Sequence, residues 1–321
     1  MGFEGLAPSA PLLLFGLLLD AVFGDPQLRI HPIRLMGDTL TTFERVLRRL
    51  GLDGYAGGCV LFLLLVACWV ALPSLAIFEL YRRNANLGSV AHVFVVFILF
   101  AMRDLIDHVR TVRRAAHQGD LPGTRAAIGM LVGRDTTKMD LDACRRAAIE
   151  SLSESLVDGF LSAMFWYVLA GLPGLLLFKV ASTMDSMVGY KTVRYLRFGW
   201  CGARMDDLMN YIPARLAWIL LGLCAIPFRE LSTTKGWKLG LRQHGVVPGP
   251  NPGWSEATMT GVLQRRLIGP IWRNGSLVTD IWLGDPADPP AGSDSDVRNA
   301  LRVSVLAACL STLLAMLVLY V

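Results

Sequence analysis

Three carboxylates stand out first in this sequence. Glu150, Glu154 and Asp158 are spaced i, i+4, i+8, which places them on one stripe of a helix. Like charges one turn apart disfavour a helix by roughly 0.2–0.5 kcal/mol per pair, and a cation relieves that repulsion. Carboxylates together with water suit Mg2+ carried by a phosphate substrate. The plainer alternative is a solvated face, with Arg146 four residues upstream as the partner of Glu150. A second group, Asp185, Lys191 and Arg194, follows an apolar run. Its neighbours Ser182, Thr183 and Ser186 add uncharged polar atoms that side chains merely snorkelling to a membrane boundary do not need. A third group runs from Arg204 to Arg215. There Asp206 and Asn210 share a helical face, Asp207 points elsewhere, and the two arginines are fork donors suited to phosphate or carboxylate.

Outlying residues add to this set. Arg134 and Asp135 open the polar run Arg134-Asp135-Thr136-Thr137. Asn251 sits in the turn Gly249-Pro250-Asn251-Pro252-Gly253, whose backbone N–H groups suit an anion, although an ordinary turn explains it equally well. Ser255 is the expected N-cap of a helix from Glu256 to Leu267. Of five histidines, His31 before Pro32 has the notable context, whereas His92 reads as a satisfied interior residue. No Ser-His-Asp order, P-loop or G-x-G-x-x-G occurs, so a standard nucleotide fold is not supported.

The elements that must carry these residues are membrane helices. The 321 residues are 53% apolar and only 18% charged, with a mean hydropathy of +0.47. A soluble domain carries about 25% charge. No Asp, Glu, Lys or Arg occurs from Gly54 to Phe78, from Gly159 to Phe178 or from Val303 to Val321. Each run approaches the roughly 20 residues a span requires. Six apolar segments result: Ala7 to Phe23, Gly54 to Phe78 with a kink expected at Pro73, Leu87 to Met102, Gly159 to Phe178, Leu216 to Phe228, and the C-terminal run. The Gly171-Leu172-Pro173-Gly174 string would break the fourth into a re-entrant hairpin, and the fifth, with 13 uncharged residues, is short for a span. The N-terminus lacks a basic region and reads as a retained span. The six cysteines form no C-x-x-C pair, and four lie in apolar surroundings, so they imply neither zinc nor a disulfide framework.

Lys and Arg choose the topology. If all six segments span, the basic residues divide 23 against 8; if segments four and five are re-entrant or half-buried, they divide 29 against 2. The positive-inside rule favours the second arrangement. The expected fold is therefore all-α: a polytopic helical membrane protein, residues 1–321 forming one domain, with about four spanning helices plus re-entrant or half-buried helices. Residues 103–302 would form a mainly cytoplasm-facing unit. The net charge of +5 reflects cytoplasmic loops, and nucleic-acid binding is not expected, since the aromatic-basic interleaving that tracks single strands is missing.

At these residues the chain resembles the CobD/CbiB family of cobalamin biosynthesis, the adenosylcobinamide-phosphate synthases. The matching strings are Gly24-Asp25-Pro26, His31-Pro32, Val132-Gly133-Arg134-Asp135-Thr136, Glu150-Ser151 with Glu154 and Asp158-Gly159, Thr183-Met184-Asp185-Ser186, Arg204-Met205-Asp206-Asp207 with Asn210 to Arg215, and Pro250-Asn251 with Trp254 and Glu256. The resemblance implies an enzyme, an ATP-dependent acid–amine ligase. It would join adenosylcobyric acid, a corrinoid, to (R)-1-amino-2-propanol O-phosphate, giving adenosylcobinamide phosphate, with Mg2+ and ATP as cofactors. Glu150, Glu154, Asp158, Asp185 and Lys191 would be catalytic, with Asp185 as a base. Glu150, Glu154 and Asp206 would hold metal. Arg134, Asp135, Arg194, Arg204, Asn210, Arg215, Asn251 and His31 would bind substrate or nucleotide. The implied location is the bacterial inner membrane, with the active site facing the cytoplasm and other cobalamin-assembly membrane enzymes as partners.

The family usually has Asn where this chain has Ser155 and Ser182, and Ser-Pro-Asn-Ala-Gly where this chain has a second proline, Pro252. A shorter hydroxyl in place of an amide leaves room for a variant amino-alcohol phosphate such as ethanolamine phosphate. Two other classes fit some of the residues. One is a catalytically changed membrane scaffold or sensor of the AmpE type. The other is a Mg2+-dependent intramembrane transferase acting through Asp206, Asp207 and Asn210.

Overall fold

The computed structural model describes residues 4–26 and 31–320. The polar loop expected after Pro26 thus falls, at residues 27–30, outside the described residues. In chain order the helices are α1 (Ala10–Phe23), α2 (Pro32–Arg49), α3 (Tyr55–Val66), α4 (Leu72–Arg83), α5 (Ala85–Leu99), α6 (Met102–His117), α7 (Leu121–Gly129), α8 (Leu141–Ser155), α9 (Ser162–Val188), α10 (Trp200–Ala225), α11 (Thr233–Gln243), α12 (Pro252–Leu263) and α13 (Asp294–Tyr320). Two strands, β1 (Leu267–Arg273) and β2 (Ser276–Leu283), form an antiparallel hairpin between α12 and α13. Among the described residues, five helices are long and apolar enough to cross a membrane: Tyr55–Arg83, Ala85–His117, Leu141–Val188, Trp200–Ala225 and Asp294–Tyr320. The protein is an all-α, multi-pass membrane protein.

The first and fifth segments differ in length from the sequence reading. The first segment, as α1, has only 14 residues. The fifth is long enough, because the polar stretch ahead of its 13 uncharged residues is itself helical and makes α10 a 26-residue helix. Half-polar helices of this kind escape a charge-free-run criterion, since their ionisable residues interrupt the run without interrupting the helix. In the fourth segment the backbone leaves helical geometry at Ala170 and Gly171 (φ 64°), two residues ahead of Pro173. The break thus falls at the Gly-Leu-Pro-Gly string. Only glycine suits that φ, and a Cβ there would run into the Leu6 carbonyl oxygen. Pro73 has a different effect. A π turn, Ala67–Ala71, immediately precedes α4, and Pro73 falls in the first turn of that helix.

The chain forms two compact units. The first comprises Met1–Ala101, Ser162–Asn210 and Thr312–Val321. Its core joins α1 to α5, α4 to α5, and α2 to α3 and α9. His92 is fully buried there, with Nε2 at 2.9 Å from the Tyr167 hydroxyl and Nδ1 at 3.1 Å from the Gly5 carbonyl oxygen, the satisfied interior residue it was read to be. The second unit comprises Met102–Leu161 and Tyr211–Ser311. Its centre is α12, buried without interruption from Gly253 to Leu263 and packed chiefly on α11 and α8. Pro252 occupies the first turn of α12, where its missing N–H is harmless, and Asn251 takes the N-cap position. The helix therefore starts ahead of the expected Ser255 cap and stops at Leu263. Gln264 ends it in the left-handed region, and the next residues go into the hairpin rather than into more helix.

Candidate functional site

In the second unit the acidic stripe meets a partner from more than 100 residues downstream. Asp140 caps α8 by accepting the Ala143 N–H at 2.7 Å, which sets the register of Glu150 and Glu154. At Leu156 the helix passes into a π turn, Leu156–Leu161, that contains Asp158. One extra residue per turn re-aims Asp158 relative to a straight α-helical stripe. Glu256, on the second turn of α12, is almost wholly buried, and its Oε2 has no hydrogen-bond partner among the described residues. Burial raises its carboxyl well above the usual range, and the neighbouring charges of Glu154, Glu150 and Asp158 push it the same way, while Arg134 opposes them. Arg134 donates to Glu150 Oε2 at 2.7 Å, with both side chains largely buried. Arg146, the expected partner of Glu150, instead donates to the carbonyls of Ile268 and Ala291, and its guanidinium lies over Trp282.

Asp135 holds Arg134 in place. Its N–H donates to the Trp272 carbonyl at 2.9 Å, and its carboxylate accepts the Gly275 N–H at 2.8 Å. Lys138 sits over the Trp272 ring at 3.5 Å. Asp135 thus clasps the turn of the β-hairpin.

The start of α12 carries the opposite charge. Arg215 lies over the Tyr211 ring at 3.4 Å and over Trp254 at 5.0 Å, and donates to Asn251 Oδ1 at 3.4 Å. His244 stacks on Trp254 with ring centroids 4.0 Å apart. The N-terminal N–H groups of a helix beside a guanidinium form an anion-binding arrangement. Glu256 lies five positions after Asn251, about 7.5 Å along the axis at 1.5 Å per residue. One buried helix therefore links a cationic end to an acidic end.

The first unit holds the other candidates. Asn210 donates to Asp206 at 3.0 Å and accepts the Ser162 hydroxyl at 2.5 Å, so Asp206 and Asn210 do share a face. Asp207 pairs with Arg204 at 3.0 Å and is within electrostatic reach of Asp185 and Lys191. Arg194 belongs to neither group, since it pairs with the buried Glu44 at 2.8 Å. His31 caps α2: its Nδ1 accepts the Ile33 N–H at 3.3 Å, which leaves the proton on Nε2, 2.9 Å from Asp25.

Among the described residues, no three His, Cys, Asp or Glu side chains converge closely enough to cage a metal ion. Mg2+ uses one or two carboxylates and keeps waters or phosphate oxygens for the rest, so the Glu150 and Glu154 pair would suit an ion only if a phosphate delivered it. A separate cavity of about 500 Å3, lined in part by Glu230, Arg265, Asp288 and Arg298, shares no residue with these groups. Glu256 is not among the candidate catalytic, binding or metal residues read from the sequence. Its signal was present, because it is the one ionisable side chain between Gly245 and Gln264.

Comparison with known proteins gives a consistent result. The family model described as CobD/Cbib protein matches residues 13–304. A cobalamin biosynthesis protein CobD from Sinorhizobium sp is 39% identical over 300 residues, covering 91% of this chain and 92% of the relative. CobD of Yersinia enterocolitica is 36% identical over 300 residues, covering 92% and 93%. The cobalamin biosynthesis protein CbiB of Salmonella typhimurium is 36% identical over 302 residues, covering 92% of each chain. No solved structure matches.

Proposed function

Because the chain belongs to the CobD/CbiB family of cobalamin biosynthesis proteins, we propose that it is the ATP-dependent ligase joining adenosylcobyric acid to (R)-1-amino-2-propanol O-phosphate. The observation that carries this reading is Glu256, buried and raised among Glu150, Glu154 and Asp158, on the same helix whose N-terminus meets Arg215. Amide formation needs an anionic carboxylate activated and a protonated amine relieved of its proton. A carboxylate oxygen of the corrinoid attacks the γ-phosphorus of ATP, releasing ADP. The amine then attacks the acyl carbon and releases phosphate. Cationic groups offset the charge on the transferring phosphoryl group. Arg215, Asn251 and the α12 N-terminus suit a phosphate or the corrinoid carboxylate. The acidic end suits the ammonium and a phosphate-borne Mg2+, with Glu150 and Glu154 as its protein ligands; the ion would supply charge neutralisation. In the first unit, Asp185, Lys191, Arg204 and Asp206 are candidates for proton transfer, metal and phosphate contacts. Asp135 and Arg194 act through Arg134 and Glu44 in this reading, and His31 through the α2 cap. The inner membrane and a cytoplasm-facing site complete the proposal.

The test is ligation by purified protein in lipid nanodiscs. ATP, adenosylcobyric acid and each amino-alcohol phosphate are supplied, and product mass is followed together with ADP. Amide formation with loss of turnover in E256Q and R215Q supports the reading; no amide and no ADP with either amine refutes it. The ethanolamine phosphate arm decides the substrate variant left open by Ser155, Ser182 and Pro252.

A further inference from the structure

Where three candidate spans end in the first unit, the surface combines exposed aromatic and aliphatic side chains with unpaired cations. Leu141–Val188 ends there, and Tyr55–Arg83 and Trp200–Ala225 begin there. The Tyr55 and Trp200 rings meet edge to face at 5.7 Å, so the first residues of two spans lie at one level. Aromatic residues in such positions mark the headgroup depth of a bilayer.

The connection between α9 and α10 has a two-sided pattern. Tyr190, Val193, Leu196 and Trp200 recur at intervals of three, three and four residues, and all are exposed, Val193 completely. Lys191, Arg194 and Arg197 recur at intervals of three and are exposed as well. Glu44 fixes this connection onto α2. It accepts from both Arg48 and Arg194 at 2.8 Å, while Arg48 also donates to the Arg194 carbonyl and lies over the Phe198 ring at 4.4 Å. With Glu44 engaged by two arginines, Arg45, Arg49 and Arg197 stay exposed and form no ion pair among the described residues. Leu50 and Leu52 are exposed at the end of the same helix.

We infer that this face, made by the C-terminal end of α2 and the 190–200 connection, is a binding surface for anionic phospholipid headgroups. A soluble phosphate would need the cations but gives no reason for Val193, Leu196 and Leu50 to stand exposed beside them. A headgroup with its acyl chains accounts for both, because the cations meet the phosphate and the apolar side chains meet the glycerol–acyl boundary. Continuity with the bilayer surface follows from the three span ends. This goes beyond the proposed ligation, which needs none of Arg45, Arg49 or Arg197.

The experiment is native mass spectrometry of the full chain released from neutral detergent with matched phosphatidylglycerol and phosphatidylcholine. An arginine near an anionic surface is worth about fivefold in partitioning. Wild type should retain phosphatidylglycerol at least about tenfold over phosphatidylcholine, and R45Q/R49Q/R197Q should bring the ratio close to one. If that variant does not fold, the salt dependence of the wild-type ratio decides, since exposed charges are screened beyond about 10 Å at 0.1 M salt. Equal retention of the two lipids by wild type, a preference that survives in the triple variant, or a salt-independent preference overturns the inference. Displacement of phosphatidylglycerol by inorganic phosphate also overturns it, assigning the surface to a soluble ligand.

Discussion

Arg134 donates to Glu150 at 2.7 Å inside a group of four carboxylates, the other three being Glu154, Asp158 and Glu256. The guanidinium therefore offsets part of a concentrated negative charge as well as closing a single pair. Removing one partner of a buried ion pair costs about 3–5 kcal/mol, because the remaining charge is left uncompensated. R134A should lower the melting temperature of detergent-purified protein and abolish ligation. R134A/E150A should recover part of the stability but none of the activity. A double variant no more stable than R134A would show that the pair does not account for the loss.

Glu256 makes stability depend on pH. Its folded-state carboxyl lies above the ordinary value of 4.5, so the folded protein holds a proton that the unfolded chain has released. The sign follows: stability falls as pH rises from about 4.5 until the folded-state carboxyl ionises, and is level beyond that. With EDTA present to remove divalent ions, the melting temperature of wild type should decline across that window. E256Q should lack this component and run flatter. Parallel wild-type and E256Q profiles would remove Glu256 as its source.

Asp135 ties the 134–139 loop to the hairpin through the Gly275 N–H. Losing one such bond costs about 1 kcal/mol. D135A should therefore speed amide exchange across Leu267–Leu283 by about fivefold while α12 stays protected. Unchanged exchange in the hairpin would mean that the clasp does not hold it.

Arg215 presents a planar guanidinium between Tyr211, Trp254 and Asn251. Lysine keeps the charge and loses both the fork and the stacking. R215K should raise the KM for a phosphorylated substrate by roughly tenfold or more with a smaller change in kcat, as expected when binding common to ground and transition state is removed. Steady-state kinetics in nanodiscs reads the split directly, and a kcat loss with constant KM would place Arg215 at the reacting atoms instead.

Much of this protein is written locally in its chain. Charge-free runs of about 20 residues can be satisfied by membrane helices alone, because unpaired backbone groups are not tolerated in hydrocarbon. The break beside Pro173, the interior role of His92 and the shared face of Asp206 and Asn210 are also local consequences of backbone geometry and helical spacing. The β-hairpin had a local signal too. Asn274-Gly275 has both residues at positive φ in the turn between β1 and β2, and a helix expected through Leu267 obscured it.

Other features arise only when distant segments pack. Spacing places Glu150 and Glu154 on a stripe, but it is the burial of α12 against α8 that puts Glu256 among them and raises its carboxyl. Arg134 and Arg146 are both near Glu150 in sequence; the hairpin, clasped by Asp135, leaves Arg134 to pair while Arg146 goes to the Ile268 and Ala291 carbonyls. The pairing of Arg194 with Glu44 likewise comes only from the fold, 150 residues apart in sequence. The sequence by itself determined the membrane helices and the kinds of charge placed between them. The tertiary structure decided which charges meet, because the strength and even the sign of a group's effect depend on burial and neighbours that sequence separation does not encode.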